Sequence, residues 1–141
     1  MADSEHKIIG RSDRVDLPEL GVEDIPAKID TGAYRSSLHC EKIGLEGDQL
    51  CFTLKTGQGD QQYRTEEWEE KVVKSSNGKA QKRFVIKTPI RLFGKNYKTT
   101  ISLTDRSKMR NPLLIGRKML KGRFMVDVSK KDLSHKEKVK K

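Results

Sequence analysis

The sequence predicts an all-β domain, closed into a barrel or folded as a sandwich, with one short helix near its C-terminal end. Three features favour this class: short apolar or alternating runs, turn-forming residues between them, and only one segment of helical character. The 141 residues are the usual length of one domain, and they contain no internal repeat.

The first predicted strands are short and apolar. Residues 7–11 (KIIGR) and 15–17 form two of them, and Pro18 and Gly21 then break the pattern. Residues 25–29 form the next apolar run.

One strand and one hairpin are predicted in the middle of the chain. Residues 49–54 (QLCFTL) alternate between polar and apolar after a turn at 46–48. Residues 68–73 and 82–88 flank the sequence SSNG at 75–78. Since Asn-Gly between alternating runs is a strong hairpin signal, we expect these two strands to pair.

The C-terminal third supplies the remaining elements. A turn at residues 93–96 leads into an alternating strand at 97–103, and residues 112–115 form a short apolar strand. Residues 117–121 have helical character, and the glycine that follows them suits the end of a helix. Residues 124–128 complete the strand pattern.

Composition predicts a small core and a basic surface. Hydrophobic residues make up 33% of the chain and charged residues 35%, with 30 Lys+Arg against 20 Asp+Glu and a net charge of +10. Such a monomer would be only marginally stable, and dimerisation would relieve the shortage of core. Residues 129–141 carry six lysines and two acids, and therefore +4 of the total. They predict either a solvated, frayed end or an electrostatic handle for nucleic acid or an acidic polypeptide.

The sequence also suggests a cellular location. No stretch approaches the ~20 apolar residues that cross a bilayer, and the opening MADSEHK has no apolar signal region. We therefore expect a cytoplasmic protein without membrane contact. Cys40 and Cys51 are expected to be free thiols in that compartment.

The motif that carries chemistry is AKIDTGA at residues 27–33. A strand that runs into Asp30, Thr31 and Gly32 would present a carboxylate on a tight turn, with the glycine allowing the backbone to fold under it. On its own the tripeptide is equally typical of an ordinary Asx turn after a strand. A second segment, LLIGR at 113–117, follows 86 residues later and stands just before the predicted helix.

The two segments together resemble the aspartic peptidases of the retropepsin type. Five ordered segments extend the resemblance over residues 8–133: IIGR at 8–11, LPELG at 17–21, AKIDTGAYRSSLH at 27–39, SSNGK at 75–79 and NPLLIGRKML at 111–120. They are similar to a bacterial and archaeal family named for an ATP-dependent zinc protease. Some members of that family are called RimB, and it is often associated with RimK-type glutamate ligases.

The resemblance implies a retropepsin-like peptidase domain over residues 7–128, between a disordered N-terminus at 1–6 and the basic tail. Asp30 would be the catalytic carboxylate, and its support would be Thr31, Gly32, Ala33, Gly116 and Arg117. The chain has one Asp-Thr-Gly, whereas this chemistry needs two facing carboxylates. The resemblance therefore implies a homodimer in which two copies of Asp30 share one proton.

The chain departs from the retroviral pattern beside this loop. An acid that pairs with the later arginine is expected after Asp-Thr-Gly-Ala, and here that position is Tyr34. Arg117 is therefore left without its expected partner. The hairpin tip at Ser76, Asn77 and Gly78 is the candidate flap over the site, and an ordinary surface hairpin is the alternative.

Neither the zinc nor the ATP of the family name has a motif here. The sequence contains no HExxH, no Cys-x-x-Cys and no phosphate-binding loop, so no metal and no cofactor are predicted. A site built from His39, Cys51 and Glu41 is the weaker alternative, because structural zinc usually takes four clustered ligands.

Three functions follow from these observations. The first is an aspartic peptidase acting on a protein or peptide, with the ligase association suggesting a glutamate-extended tail as substrate. The second is a non-catalytic module that binds and modulates a RimK-type ligase or a ribosomal protein. The third is a small RNA-binding barrel, which is disfavoured because only 6% of residues are aromatic.

Overall fold

A computed structural model describes residues 6–56, 59–74, 78–105 and 111–140. The strands are β1 (Lys7–Gly10), β2 (Ser12–Leu17), β3 (Val22–Ile29), β4 (Ser36–His39), β5 (Glu41–Glu46), β6 (Gln49–Thr56), β7 (Gly59–Thr65), β8 (Glu69–Lys74), β9 (Ala80–Leu92), β10 (Lys95–Thr104), β11 (Leu113–Ile115) and β12 (Phe124–Asp127). The helices are α1 (Arg117–Leu120) and α2 (Leu133–Val139), and a 3₁₀ turn covers Pro18–Leu20. The all-β prediction is confirmed.

Six strands close into a barrel. Their order around it is β10, β4, β11, β3, β2 and β9, and β9 pairs with β10 to complete the ring. The short β11 runs parallel to β3 and antiparallel to β4, so it holds together two strands that would otherwise be separate. β8 pairs with the first half of β9, which confirms the predicted hairpin.

The core fills this barrel with aliphatic side chains from every strand of the ring. Among those fully buried are Leu17, Leu38, Ile90, Ile101 and Leu113. β10 is buried on both faces over its second half, because its outer face carries small hydroxyl side chains that tolerate close neighbours. Burial of alternate apolar residues is the main source of stability for such a barrel.

A separate three-stranded sheet is formed by β5, β6 and β7. β7 has the polar sequence GDQQYRT, and no strand was predicted there or at β4 and β5. β7 is ordered because it pairs along its whole length with β6, with Phe52 and Tyr63 stacked at 5.4 Å between ring centroids. The Tyr63 hydroxyl also hydrogen-bonds the Leu20 carbonyl and ties this sheet to the barrel.

The C-terminal segment corrects the expectation of a solvated, frayed end. It crosses β1 and β2, and the second helix, α2, begins where the Asp132 N–H donates to the Ser12 carbonyl at 2.9 Å. The buried Asp13 carboxylate then accepts hydrogen bonds from the N–H groups of Ser134 at 2.9 Å and His135 at 3.1 Å. These bonds satisfy donors at the start of a helix, so the basic tail folds against the barrel.

Two ion pairs complete the docking of α2. The Lys138 ammonium lies 3.1 Å from Asp16 and 3.0 Å from Asp24, both of which belong to the β2–β3 region. The hydrogen bond from Lys138 lowers the pKa of Asp24 below its usual value. Burial raises the pKa of Asp13, against the effect of its backbone hydrogen bonds.

The N-terminal residues and the two helices bear on the expectations about disorder and membrane contact. Of the predicted disordered N-terminus, residues 1–5 lie outside the described part of the chain. Within the described ranges, neither helix has the length or apolar character to cross a membrane. The domain limits of 7–128 stay a prediction.

Candidate active site

The Asp30 loop lies where two parallel strands of the barrel end together. Ile29 and Ile115 are paired in the register of β3 and β11, so the residues after each strand meet at one end of the barrel. The Asp30 N–H donates to the Ile115 carbonyl at 2.9 Å and joins the two loops. This contact brings Asp30 beside Gly116, 86 residues away in the sequence.

The loop closes on itself through two short-range hydrogen bonds. The Gly32 N–H donates to Oδ1 of Asp30 at 3.0 Å, and the Ala33 N–H donates to the Asp30 carbonyl at 3.2 Å. Asp30 itself is half-buried, whereas Thr31 and Gly32 are exposed. The loop thus presents one oriented carboxylate at the surface, in the form of an Asx turn.

Gly116 lies directly beneath the loop. A Cβ atom at this position would come within 2.6 Å of the Arg35 carbonyl oxygen and 2.7 Å of the Tyr34 carbonyl oxygen. The Gly116 N–H donates to the Ser36 hydroxyl at 3.2 Å. Glycine is required here for close approach and not for its backbone angle, because its φ of −93° is open to any residue.

The helix α1 is joined to the same loop by its first residues. The N–H groups of Arg117 and Lys118 donate to the carbonyls of Ala33 at 2.8 Å and Tyr34 at 2.9 Å. These two bonds join the main chain of the loop to the first turn of α1. The predicted support residues therefore lie next to Asp30 in the structure. Their role in catalysis stays a prediction.

Arg117 has partners that the sequence did not indicate. Its guanidinium donates to the Thr31 carbonyl at 2.9 Å and lies 5.9 Å from the ring centroid of Tyr34. The aromatic ring and the carbonyl replace the acid expected at position 34. A carbonyl and a ring carry no net charge, so these two contacts do not form an ion pair with Arg117.

Two further residues support the site without a sequence signal. Ser36 is buried, accepts from Gly116, and accepts through its carbonyl from the Ser102 hydroxyl at 3.4 Å. Arg35 is half-buried, and its Nη1 has no hydrogen-bond partner within the described structure. Polar residues in the sequence YRSS are typical of an exposed loop, so only the fold shows that two of them face inward.

The candidate flap is only partly described. β8 and β9 pair from Glu69↔Val85 to Lys74↔Ala80, and Gly78 has a φ of 83° that suits a hairpin tip. Ser76 and Asn77 lie outside the described residues. The role of this hairpin as a cover stays a prediction.

The structure does not gather the residues of the alternative metal site. Across the ranges that are described, no three His, Cys, Asp or Glu side chains stand close enough to hold a metal ion. Cys51 donates instead to Glu46 at 3.5 Å. Cys40 is buried, and burial raises the pKa of its thiol to about 12. Both cysteines are free thiols, as expected.

Comparison with protein families decides the relationship. A profile described as RimB-like, the retropepsin-like aspartic endopeptidase RimB, matches residues 8–137. The chain belongs to the RimB-like family. The match includes both loops of the site and most of α2, so the resemblance seen in the motifs extends to the C-terminal helix.

Curated relatives of this RimB-like chain are longer proteins. A probable alpha-L-glutamate ligase of Shewanella pealeana is 33% identical over 130 residues, which are 86% of this chain and 28% of the relative. A protein of the same name from Parasynechococcus marenigrum is 31% identical over 128 residues, or 85% of this chain and 28% of the relative. The chain thus spans a little over a quarter of the length of these relatives.

A solved structure shares the fold. The crystal structure of Lpg0085, a protein of unknown function from Legionella pneumophila, is 27% identical and superposes with a TM-score of 0.75. The match covers 92% of this chain and 99% of the Legionella chain. The fold of this chain is therefore also found, over almost its whole length, in another protein chain.

Proposed function

We propose that this RimB-like chain is an aspartic peptidase that acts as a homodimer, with one Asp30 from each copy. The observation that carries the proposal is the Asp30 loop, whose carboxylate is oriented by the Gly32 N–H at 3.0 Å and supported by Gly116. The RimB-like profile names an aspartic endopeptidase and supports the same chemistry.

The exposure of the loop supports pairing with a second copy. Thr31 and Gly32 are exposed, and Tyr34 is 53% exposed although its ring is large and apolar. A two-fold axis beside this loop would bring the two Asp30 side chains together and cover both tyrosines. Each copy alone holds one catalytic carboxylate, so the site is complete only in the dimer.

In the dimer, the two carboxylates would divide the chemical work. Two like charges at close range cannot both ionise, so the pair would hold a single proton. The ionised carboxylate would take a proton from the attacking water, and the protonated one would polarise the scissile carbonyl. The proton gained by the first would then pass to the leaving amine. Titration would belong to the pair and not to one residue.

The proposed substrate is a glutamate-extended protein tail. The net charge of +10 favours an acidic partner, and the matching relatives are named as probable alpha-L-glutamate ligases. A ligase that adds glutamates and a peptidase that removes them would act on the same acidic segment. We propose that both act in the cytoplasm.

The test compares the wild type with Asp30→Asn on an unstructured peptide that ends in several glutamates. Each protein is assayed with and without EDTA, and sedimentation gives the oligomeric state. Cleavage that is lost in Asp30→Asn, survives EDTA and increases with dimer concentration is the expected result. Cleavage that EDTA stops and Asp30→Asn retains would show that a metal centre does the chemistry.

A second candidate function is a non-catalytic module that binds a RimK-type glutamate ligase or its ribosomal substrate. One observation favours it: the homologous segment makes up 28% of proteins named as ligases, so the fold occurs alongside that activity. Cleavage by neither protein, together with a change in ligase rate when the chain is added, would support this candidate over the peptidase.

A further inference from the structure

A basic pocket lies on the outer surface of the barrel, between α1 and the strands β9 and β10. It has a volume of about 370 Å³, and its lining is Lys87, Lys98, Thr99, Thr100, Lys118 and Arg123. Lys87 and Thr100 are direct neighbours across β9 and β10, and Lys98 lies two residues before Thr100 on the same strand face. Lys118 comes from α1, and Arg123 comes from the turn before β12. We call this surface the basic pocket.

The four cations of the basic pocket have no anionic partner among the described residues. No salt bridge joins Lys87, Lys98, Lys118 or Arg123 to a carboxylate within the ranges that the structure describes. The lining itself contains no Asp or Glu. Four like charges at one concave surface repel one another, and a bound anion would relieve that repulsion.

Arg123 is held in place for such a ligand. Its Nη1 donates to the Met119 carbonyl at 3.1 Å, and its guanidinium lies 5.5 Å from the ring centroid of Tyr97. A guanidinium has five N–H donors, so this bond leaves others to contact a carboxylate. The three lysines lie around it as exposed, adjustable charges.

We propose that the basic pocket binds the carboxylates of an acidic polypeptide segment and anchors it beside the Asp30 loop. The pocket is linked to that loop through α1, because the Lys118 N–H donates to the Tyr34 carbonyl at 2.9 Å. Only the identification of this segment with the peptidase substrate depends on the proposed function. The binding itself requires no catalysis.

The surroundings favour a peptide over a nucleic acid. A neighbouring pocket shares Lys87, Thr100 and Lys118, and its lining also includes Glu66, Glu67 and Glu69. These carboxylates interrupt the cationic surface. A nucleic acid is held along a continuous basic track, whereas a short acidic segment needs only the basic pocket. Tyr97 is half-buried under Arg123, and Trp68 of the neighbouring pocket packs edge-on against Phe84, so both rings already have contacts within the chain.

The test measures binding of a fluorescein-labelled oligoglutamate peptide by fluorescence anisotropy. The parent protein, the pocket variant and the control are all full chains that carry Asp30→Asn, so that cleavage does not interfere. The binding result can therefore be interpreted whether or not the peptidase assay shows activity. The pocket variant adds Lys87→Gln, Lys98→Gln and Lys118→Gln. The matched control adds Lys42→Gln, Lys130→Gln and Lys131→Gln, which remove the same charge from other exposed positions.

We expect the pocket variant to bind about tenfold more weakly, and the control to stay within about twofold, since exposed charge contacts are individually modest. Binding should also weaken from ~0.05 M to ~0.3 M salt, because screening shortens the range of these charges. Circular dichroism checks that the variants fold.

Three results would overturn the proposal. The first is an absence of peptide binding by the parent protein. The second is an equal loss of peptide affinity in the pocket variant and the control, which would show that binding depends on net charge alone. The third is tighter binding of an oligouridylate of equal charge, lost in the same pocket variant, which would assign the pocket to nucleic acid.

Discussion

Replacement of Gly116 by alanine tests whether close packing under the Asp30 loop holds the site together. The added Cβ would lie 2.6 Å from one backbone oxygen and 2.7 Å from another, about 0.7 Å closer than ordinary contact. Both oxygens belong to the main chain at Tyr34 and Arg35, so they cannot rotate away as a side chain would. Such overpacking costs about 1–3 kcal/mol of unfolding free energy.

The natural control is Gly44→Ala in β5. A Cβ at Gly44 would have no atom within 4 Å, and its φ lies outside the left-handed range. Urea unfolding followed by circular dichroism measures both variants. With a slope of about 2 kcal/mol per molar urea, the midpoint of Gly116→Ala should fall by ~0.5–1.5 M and that of Gly44→Ala should barely change.

The same substitution should affect the site as well as the stability. To make room for the Cβ, the Tyr34 carbonyl must move, and its hydrogen bond from the Lys118 N–H links the loop to α1. We therefore expect cleavage to decrease even under conditions where the variant is folded. A Gly116→Ala protein as stable as the wild type, or a Gly44→Ala protein destabilised equally, would refute the packing argument.

Three further predictions concern the C-terminal helix and the thiols. Asp13→Ala should lower the free energy of unfolding by about 1–3 kcal/mol in urea, because buried N–H groups lose their acceptor, and Asp13→Asn should lose less. The lowered pKa of Asp24 stabilises the fold above the usual Asp pKa, and that contribution is lost as pH falls through the lowered value. Lys138→Met should therefore reduce the loss of stability on acidification. The change should be less than ~0.5 kcal/mol, because Asp24 is 44% exposed. An unchanged dependence of stability on pH would contradict the ion pair. Cys40, with a pKa of about 12, should react with a thiol reagent at neutral pH only after denaturation, whereas Cys51 should react in the folded protein.

Much of the barrel could be predicted because its strands carry a local signal. The hairpin of β8 and β9 follows from Asn-Gly between alternating runs, and α1 follows from a helical segment ended by a glycine with a φ of 78°. Predicted ends differ from the structure by a few residues, as at β9, which extends over Ala80–Leu92. Pairing with β10 and β2 lengthens that strand beyond its own pattern.

The elements that were missed are those stabilised by distant partners. β7 is polar and becomes a strand only through its pairing with β6. α2 has a lysine-rich sequence typical of a solvated tail, and it is ordered by the buried Asp13 carboxylate, which lies more than 120 residues earlier. A local pattern contains no information about such an acceptor.

The sequence by itself determined the fold class, the family resemblance and the identity of Asp30, Gly32 and Gly116 as one constellation. Those features depend on residue types and their order along the chain, which the sequence states directly. Only the tertiary structure decided that Arg117 pairs with Tyr34 and Thr31, and that four cations from separate elements form the basic pocket. The reason is that contacts between strands depend on register and barrel closure, and these are set by the packing of the whole core.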